Sequence, residues 1–158
     1  MKRVLLVLAI LAIALIVPSA HSYAAGRVIH SVTGAGAAFD DPIVFRSSIA
    51  AVKQSNGQTS GETVTHLDLS AFELPDVAFH AKINCLDVDG SDAWIGGVID
   101  YSSQPDIAPV GVWVIIHVRD LGGNGQDMMN GDFFEPGTAC EERPALHPVP
   151  SAGNFNVR

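Results

Sequence analysis

Residues 77–99 read VAFHAKINCLDVDGSDAWIGGVI, and this stretch decides the fold class. Apolar and polar residues alternate along its first half, which is typical of a β-strand with one buried face. The residues predicted on that buried face are Val77, Phe79, Ala81, Ile83 and Cys85. A polar turn at Asp89–Asp92 leads into a second apolar run, Ala93–Ile99, so the stretch predicts a β-hairpin.

The rest of the chain also consists of short apolar runs separated by polar turns. Val110–Val118 is dense in β-branched residues, which predicts a strand buried on both faces. Weaker strands are predicted at Arg27–Thr33, Ile43–Val52, Glu62–Leu69 and near Cys140. The predicted core residues include Ile83, Ile95, Trp113, Val114 and Ile116. Because helical periodicity is nearly absent, the pattern indicates an antiparallel sandwich or barrel, and we predict an all-β, antiparallel β-sandwich, Greek-key or jelly-roll-like.

The N-terminus has the composition of a secretory signal peptide. Lys2 and Arg3 precede an unbroken apolar run, Val4–Val17. Ser22 and Ala24 are small residues that suit positions −3 and −1 of a cleavage site after Ala24. A membrane anchor is the alternative, but this run of fourteen residues is short against the roughly 20 that a spanning helix needs. We therefore predict a helical signal peptide at residues 1–24, a β-sandwich domain at 25–143 and an irregular, Pro-rich C-terminal tail at 144–158.

The charge balance of the chain is acidic. Its 158 residues carry nine Lys and Arg against seventeen Asp and Glu, a net charge of −8, which becomes −10 once Lys2 and Arg3 leave with the signal peptide. A nucleic-acid-binding role is not expected, because phosphate neutralisation needs clustered Lys and Arg. Cleavage would leave no stable membrane anchor. The sequence therefore predicts a secreted or periplasmic domain.

The two cysteines of the chain, Cys85 and Cys140, predict a disulfide. In an oxidising compartment two cysteines normally pair, and two cysteines allow only one connectivity. Neither has a Cys or His within four residues, which disfavours a metal site at either cysteine. Two free, buried thiols are the alternative.

Several stretches taken together resemble a known family. They are His80–Gly90, Ala93–Ile99, Val118–Gly122 and the distal Cys140. Over roughly residues 28–140 the chain is similar to small exported bacterial domains of the kind found after choice-of-anchor domains (post-COAP-like). The resemblance implies a β-sandwich with this disulfide and an aspartate-led loop after the last strong strand, and the family carries no assigned activity. The chain departs from the family pattern at Trp94 and in the loop Leu121–Asp127, which leaves its ligand preference open.

Two acidic stretches contain the oxygen ligands that calcium prefers. The better candidate is the Asn- and Gly-rich segment Asp120–Asp132, with Asp120, Asn124, Asp127 and Asp132 as the predicted ligands. The second candidate is the hairpin turn that contains Asp87, Asp89 and Asp92. A plain solvated loop and an ordinary Asp-Gly turn have the same composition, so these alternatives stay open. Calcium is the only cofactor that we predict.

Histidines and aromatic residues supply weaker candidates. His66, His80 and His117 could face one sheet surface as a metal site or an acid–base pair, although no spacing enforces this. The aromatic residues near predicted loops, where a ring could stack on a sugar, are Trp94, Tyr101, Phe133 and Phe134. No nucleophile-elbow, P-loop or zincin pattern occurs, so no catalytic residue is predicted.

These observations predict an exported, non-catalytic structural or interaction module, whose partner is an unknown protein or glycan. A carbohydrate-binding module is the alternative, and a small hydrolase or metal-dependent enzyme with its site on one sandwich edge is a further one. Two titratable groups converging in a cleft would favour the enzyme. A coplanar pair of exposed rings would favour the sugar-binding module.

Overall fold

The computed structural model describes residues 26–123, 126–135 and 137–158. Most of this part consists of eight antiparallel β-strands, each hydrogen-bonded to its neighbours in sequence. The last strand pairs in turn with the first, so the sheet closes into a barrel. The strands are β1 (Val28–Asp40), β2 (Ile43–Gln54), β3 (Thr59–Asp68), β4 (Val77–Asp89), β5 (Asp92–Ser102), β6 (Trp113–Arg119), β7 (Met128–Phe134) and β8 (Val149–Val157). Among the residues described, none belongs to a helix that is long and apolar enough to cross a membrane.

The predicted all-β antiparallel fold is confirmed. The strands form one closed sheet in sequence order, whereas the expected sandwich would have two sheets and a Greek-key crossing. Both architectures are built from short strands with one apolar face and polar turns, so alternation along a strand does not distinguish them. Closure gathers the apolar faces of all eight strands around a single core.

The strand predictions hold for β1 to β6 and fail at three places. Residues 128–134, expected within an acidic loop, form β7, and most of the expected irregular tail forms β8. The segment at Cys140 is a single-turn 3-10 helix, Cys140–Glu142, instead of a strand. The Asn, Gly and Pro residues of β7 and β8 have turn composition, and pairing with the neighbouring strands overrides it. The barrel therefore extends to Val157, beyond the predicted domain boundary at residue 143.

The barrel is filled by the inward-facing side chains of its strands. The predicted core residues Ile83, Ile95, Val114 and Ile116 are all buried there. A small polar cluster lies among the apolar side chains. Ser47 Oγ is 2.8 Å from Thr63 Oγ1 and 3.1 Å from Thr65 Oγ1, so these buried hydroxyls satisfy one another.

A bulge in β4 decides which face Cys85 occupies. The β4–β5 register shifts between Ile83 and Cys85, and both Ile83 and Leu86 are buried in the core. Cys85 therefore lies on the outer face of the barrel, which corrects the expectation that it shares a face with Ile83. There it forms the predicted disulfide with Cys140, and the Cα atoms of the pair are 5.8 Å apart.

This disulfide holds a strap across the outside of the barrel. The strap, residues 137–148, leads from β7 to β8 and reaches as far as β4 before it returns. Its carbonyl oxygens accept hydrogen bonds from Trp94 Nε1 on β5 at 3.4 Å and from Asn130 Nδ2 on β7 at 3.1 Å. The strap covers the outer face of β6, so this strand is buried on both faces, as predicted. Ile115 lies on that outer face and is fully buried beneath the strap, outside the barrel core.

Replacing Ile95 by alanine should lower the free energy of unfolding by about 2–5 kcal/mol, because a fully buried side chain would leave a cavity in the core. The matched control is Lys82→Ala, since the Lys82 side chain is 77% exposed and surface changes usually stay within about 0.5 kcal/mol. Urea unfolding followed by circular dichroism measures both. Equal losses in the two variants would contradict the assignment of faces.

Candidate functional site

The seam between β7 and β8 is the weakest part of the barrel wall. Met128 lies opposite Pro150 and Met129 opposite Val149, and these are the two register pairs of the seam. On its other side β8 pairs with β1 from Ser151 to Val157. Most of β8 therefore needs other partners towards β7. Aspartate side chains provide them at one end of the seam, and a cavity opens at the other.

Two aspartates close the first end of the seam. Asp127 is 2% exposed, and its Oδ2 accepts a 2.6 Å hydrogen bond from the Phe155 N–H. Asp120 Oδ2 accepts a hydrogen bond from the Val157 N–H at 3.1 Å. The Oδ1 atom of each aspartate accepts from a backbone N–H within the loop that leads from β6 to β7. Both carboxylates thus give β8 the acceptors that a full neighbouring strand would supply.

The structure brings two of the predicted calcium ligands of this loop, Asp120 and Asp127, to the same end of β8 and places Asp132 apart from them. Asp132 lies on β7, five residues beyond Asp127, which places it about 16 Å further along at roughly 3.3 Å per residue. Asn124 lies outside the described residues. No three His, Cys, Asp or Glu side chains are grouped to hold a metal ion within the described part of the chain. Calcium binding by this loop stays a prediction.

The second predicted calcium site, on the β4–β5 hairpin, consists of carboxylates that pair with cations of the protein. Arg143 in the strap donates from Nε to Asp87 at 2.7 Å and also binds Asp89. Its hydrogen bond to Asp87 is the main cause that raises the pKa of Arg143 above its ordinary value. Asp92 Oδ1 lies 2.7 Å from His117 Nε2 and 2.8 Å from Arg119 Nε. These three aspartates fasten the strap and β6 to the hairpin.

Asp127→Asn should lower the free energy of unfolding by about 1.5–3 kcal/mol, because the buried amide would turn an N–H group towards a backbone donor and lose a charge-assisted bond. The control is Asp132→Asn, whose carboxylate is exposed and accepts a hydrogen bond only from the adjacent Phe133 N–H among the described residues. Thermal melts in chelator and in millimolar calcium measure both variants. A loss that appears only in calcium would contradict the structural role and restore the calcium site.

His80 forms the clearest cluster of titratable groups on the outer wall. Its Nδ1 donates to the Asp100 carboxylate on β5, and its Nε2 lies 3.4 Å from Glu62 Oε2 on β3. The hydrogen bond to Asp100 raises the pKa of His80 and lowers the pKa of Asp100 from their ordinary values. The pair lies on the outer surface of the barrel, where the His80 side chain is 27% exposed and the Asp100 side chain 34% exposed.

Of the other two candidate histidines, only His66 lies near His80, as a diagonal neighbour on the adjacent strand. His66 lies on the outer face of β3, opposite Ala78 of β4. His117 lies under the strap opposite Trp94, whereas His80 lies opposite Tyr101, seven residues further along β5. At roughly 3.3 Å per residue these positions are about 23 Å apart. His66, His80 and His117 are therefore not a shared metal or acid–base site.

His80→Gln should cost stability at about pH 5.5 and cost progressively less as the pH rises towards 9. The raised pKa of folded His80 means that the pair stabilises the fold fully below the unfolded value of about 6.5, and that this contribution is lost as pH rises through the folded pKa. Urea unfolding across this range, with and without Asp100→Asn, measures the effect. The dependence on pH should weaken in the Asp100→Asn background. A cost independent of pH would contradict the pairing.

The candidate sugar-stacking rings are mostly occupied by contacts within the protein. Trp94 stacks on His117 with ring centroids 4.3 Å apart and planes at 13°, and Arg143 lies 5.3 Å from its centroid. Trp113 is buried as predicted. Phe133 packs against Phe79 at 5.9 Å with the rings tilted by 53°. Tyr101, which is 60% exposed, is the most exposed of these candidate rings.

A cavity of about 160 Å³ opens at the second end of the seam, between the end of β1 and β7. Its floor consists of core side chains, among them Phe45, Phe79 and Val114. Phe45 lies over Gly131, where an added Cβ would come within 2.8 Å of the ring. Asp40, Asn130 and Asp132 add polar groups to the lining. We call this the seam cavity.

Exposed apolar side chains surround the same end of the barrel. In an antiparallel barrel with strands in sequence order, the connections after β1, β3, β5 and β7 lie at one end, and the seam cavity lies there too. The large exposed apolar residues in or beside these connections are Phe39, Phe72, Leu74, Val110 and Phe133. This site was not predicted from the sequence, because its lining comes from six separate segments and none of them carries a recognisable motif.

Comparison with protein-family models, with curated protein sequences and with solved structures finds no match to this chain. The resemblance to domains that follow choice-of-anchor domains therefore stays a prediction. The candidate site depends on its geometry alone.

Proposed function

We propose that the protein is an exported, non-catalytic binding module whose site is the seam cavity. One observation carries the proposal: an apolar cavity with a floor of buried core side chains opens through the barrel wall beside exposed polar groups. Sites for small molecules are generally concave and lined by apolar side chains with a few polar groups, and this cavity has such a lining.

The exposed apolar residues around the cavity support a binding role. Phe39 and Phe133 belong to the two strands that border the opening. Phe72 comes three residues after Leu69, which lines the cavity. Large apolar side chains concentrated at one surface mark sites where a ligand or partner is bound.

Catalysis has less support than binding. The histidine–carboxylate pairs of the described residues lie away from the cavity, with His80 and Asp100 on the outer wall and His117 and Asp92 under the strap. The described lining of the cavity contains no histidine, cysteine, serine or lysine, and its titratable groups are the carboxylates of Asp40 and Asp132, both on exposed residues.

Export is proposed on two grounds. Disulfides persist in oxidising compartments, and the Cys85–Cys140 disulfide matches that environment. Residues 1–24, which lie outside the described residues, have the composition of a signal peptide. The module would act in the periplasm or outside the cell. A glycan partner has weaker support, because Trp94 is already stacked between His117 and Arg143.

Benzyl alcohol is a suitable neutral probe, because it has one apolar ring and a single polar group. It should bind saturably, shift the backbone amide resonances of Phe45 and Gly131, and raise the melting temperature as expected for a ligand that binds only the folded state. Two-dimensional NMR titration of the protein without residues 1–24 measures this.

Leu69→Phe should abolish this binding by filling the cavity. Leu74→Phe is the matched control: it lies in the same connection, is 48% exposed and does not line the cavity. Circular dichroism melts establish that both variants fold. Unchanged affinity in a folded Leu69→Phe variant would place the ligand elsewhere, and absence of any saturable shift in the unaltered protein would remove the proposed function.

A further inference from the structure

We propose that the seam cavity selects a small organic cation, an ammonium group carried on a single apolar ring. This inference rests on the proposed function and adds the chemical class of the ligand. It depends on which charges line the cavity, on the size of the cavity and on the charge of the whole chain.

The charged side chains that line the cavity are both acidic. Asp40 ends β1 and Asp132 lies on β7, so one carboxylate comes from each side of the opening, and both residues are exposed. Neither carboxylate belongs to an ion pair formed by the described residues, whereas Asp87, Asp89, Asp92 and Asp100 all do. A ligand that carries a positive charge to the rim would therefore meet two carboxylates without a cation of the protein.

The remaining polar side chain of the lining is already occupied. Asn130 Nδ2 donates to the His147 carbonyl of the strap, and Asn130 Oδ1 accepts from the Gly131 N–H. Asp132 Oδ1 accepts a hydrogen bond from the Phe133 N–H at 2.8 Å. Asp132 Oδ2 accepts none from the described residues and is free to bind a ligand. Recognition of a polar group at the rim therefore falls to Asp40 and Asp132.

The size of the cavity limits the apolar part of the ligand to about one ring. Its volume is about 160 Å³, and an apolar protein cavity of about 150 Å³ is known to hold benzene. A six-membered ring on the floor of core side chains would leave a short substituent at the rim. The ring of Phe133, which lines the cavity, adds a further preference for a cation, because the faces of aromatic rings attract ammonium groups.

The net negative charge of the whole chain also favours a cationic ligand. A net charge of −8, or −10 without residues 1–24, gives a field that concentrates cations and repels anions. This long-range contribution is screened at high salt, whereas the ring contacts are not. Salt therefore separates the two parts of the affinity.

Benzylamine, benzyl alcohol and phenylacetate present the same ring with a positive, neutral and negative substituent. At pH 7 and low salt benzylamine should bind about three- to tenfold more tightly than benzyl alcohol, as expected for partly exposed ion pairs, and phenylacetate should bind least. Two-dimensional NMR titrations measure all three affinities. The preference for benzylamine should shrink in about 0.5 M salt, where the screening length is only a few ångströms.

Asp40→Asn and Asp132→Asn should each reduce the preference for benzylamine and leave the affinity for benzyl alcohol unchanged. Asp106→Asn is the matched control, because it removes the same charge from an exposed residue that does not line the cavity. Equal affinities for benzylamine and benzyl alcohol, or the same loss in all three variants, would overturn the proposed cation site and leave the proposed function standing. Failure of all three ligands to bind would overturn the proposed function and this inference together.

Discussion

Closure of the β7–β8 seam is the constraint on which the rest of the structure depends. A sheet of eight strands becomes a barrel only if its first and last strands are joined through a complete ring of neighbours, and here one neighbouring pair shares only two register positions. Asp120 and Asp127 make up the deficit at one end by presenting carboxylate oxygens to the amides of β8. At the other end the described residues form no β7–β8 pair beyond Met129 and Val149, and the seam cavity lies there.

The strap solves a second problem, which is how β6 can be apolar on both faces. Its inward residues fill the barrel, while Ile115 and His117 on the other face would meet water without a cover. Residues 137–148 supply that cover, held by the disulfide at β4 and by the ion pairs of Arg143 with Asp87 and Asp89. Asp87 and Asp89, two aspartates of the second predicted calcium site, are thus anchor points of the strap.

The alternation of apolar and polar residues was enough to predict where most strands lie and which face of each is buried. It failed for segments that become strands only by pairing with their neighbours. Alternation identified β4 and β5, their hairpin turn and the core positions Ile95 and Val114, because burial of one face leaves a period of two in the sequence. It could not separate a barrel from a sandwich. β7 was missed because Asn130-Gly131-Asp132 reads as a turn unless the strands on either side are known. The seam cavity could not be predicted from the sequence for the same reason, since its lining comes from six separate segments.

The pairing of the first and last strands has a mechanical consequence. Ser31 and Arg158 exchange both backbone hydrogen bonds, so the beginning of β1 and the end of β8 lie side by side, at the end of the barrel opposite the seam cavity. A force that pulled Ser31 and Arg158 apart would break the hydrogen bonds of the β1–β8 ladder one after another. Both residues lie at the same end of this antiparallel ladder, and its hydrogen bonds lie perpendicular to the strands. The segment between Cys85 and Cys140 is a covalently closed ring, so tension along the chain would bypass β5, β6 and β7. The barrel therefore combines a β1–β8 ladder that would open one pair at a time under load with three strands that the same load cannot extend.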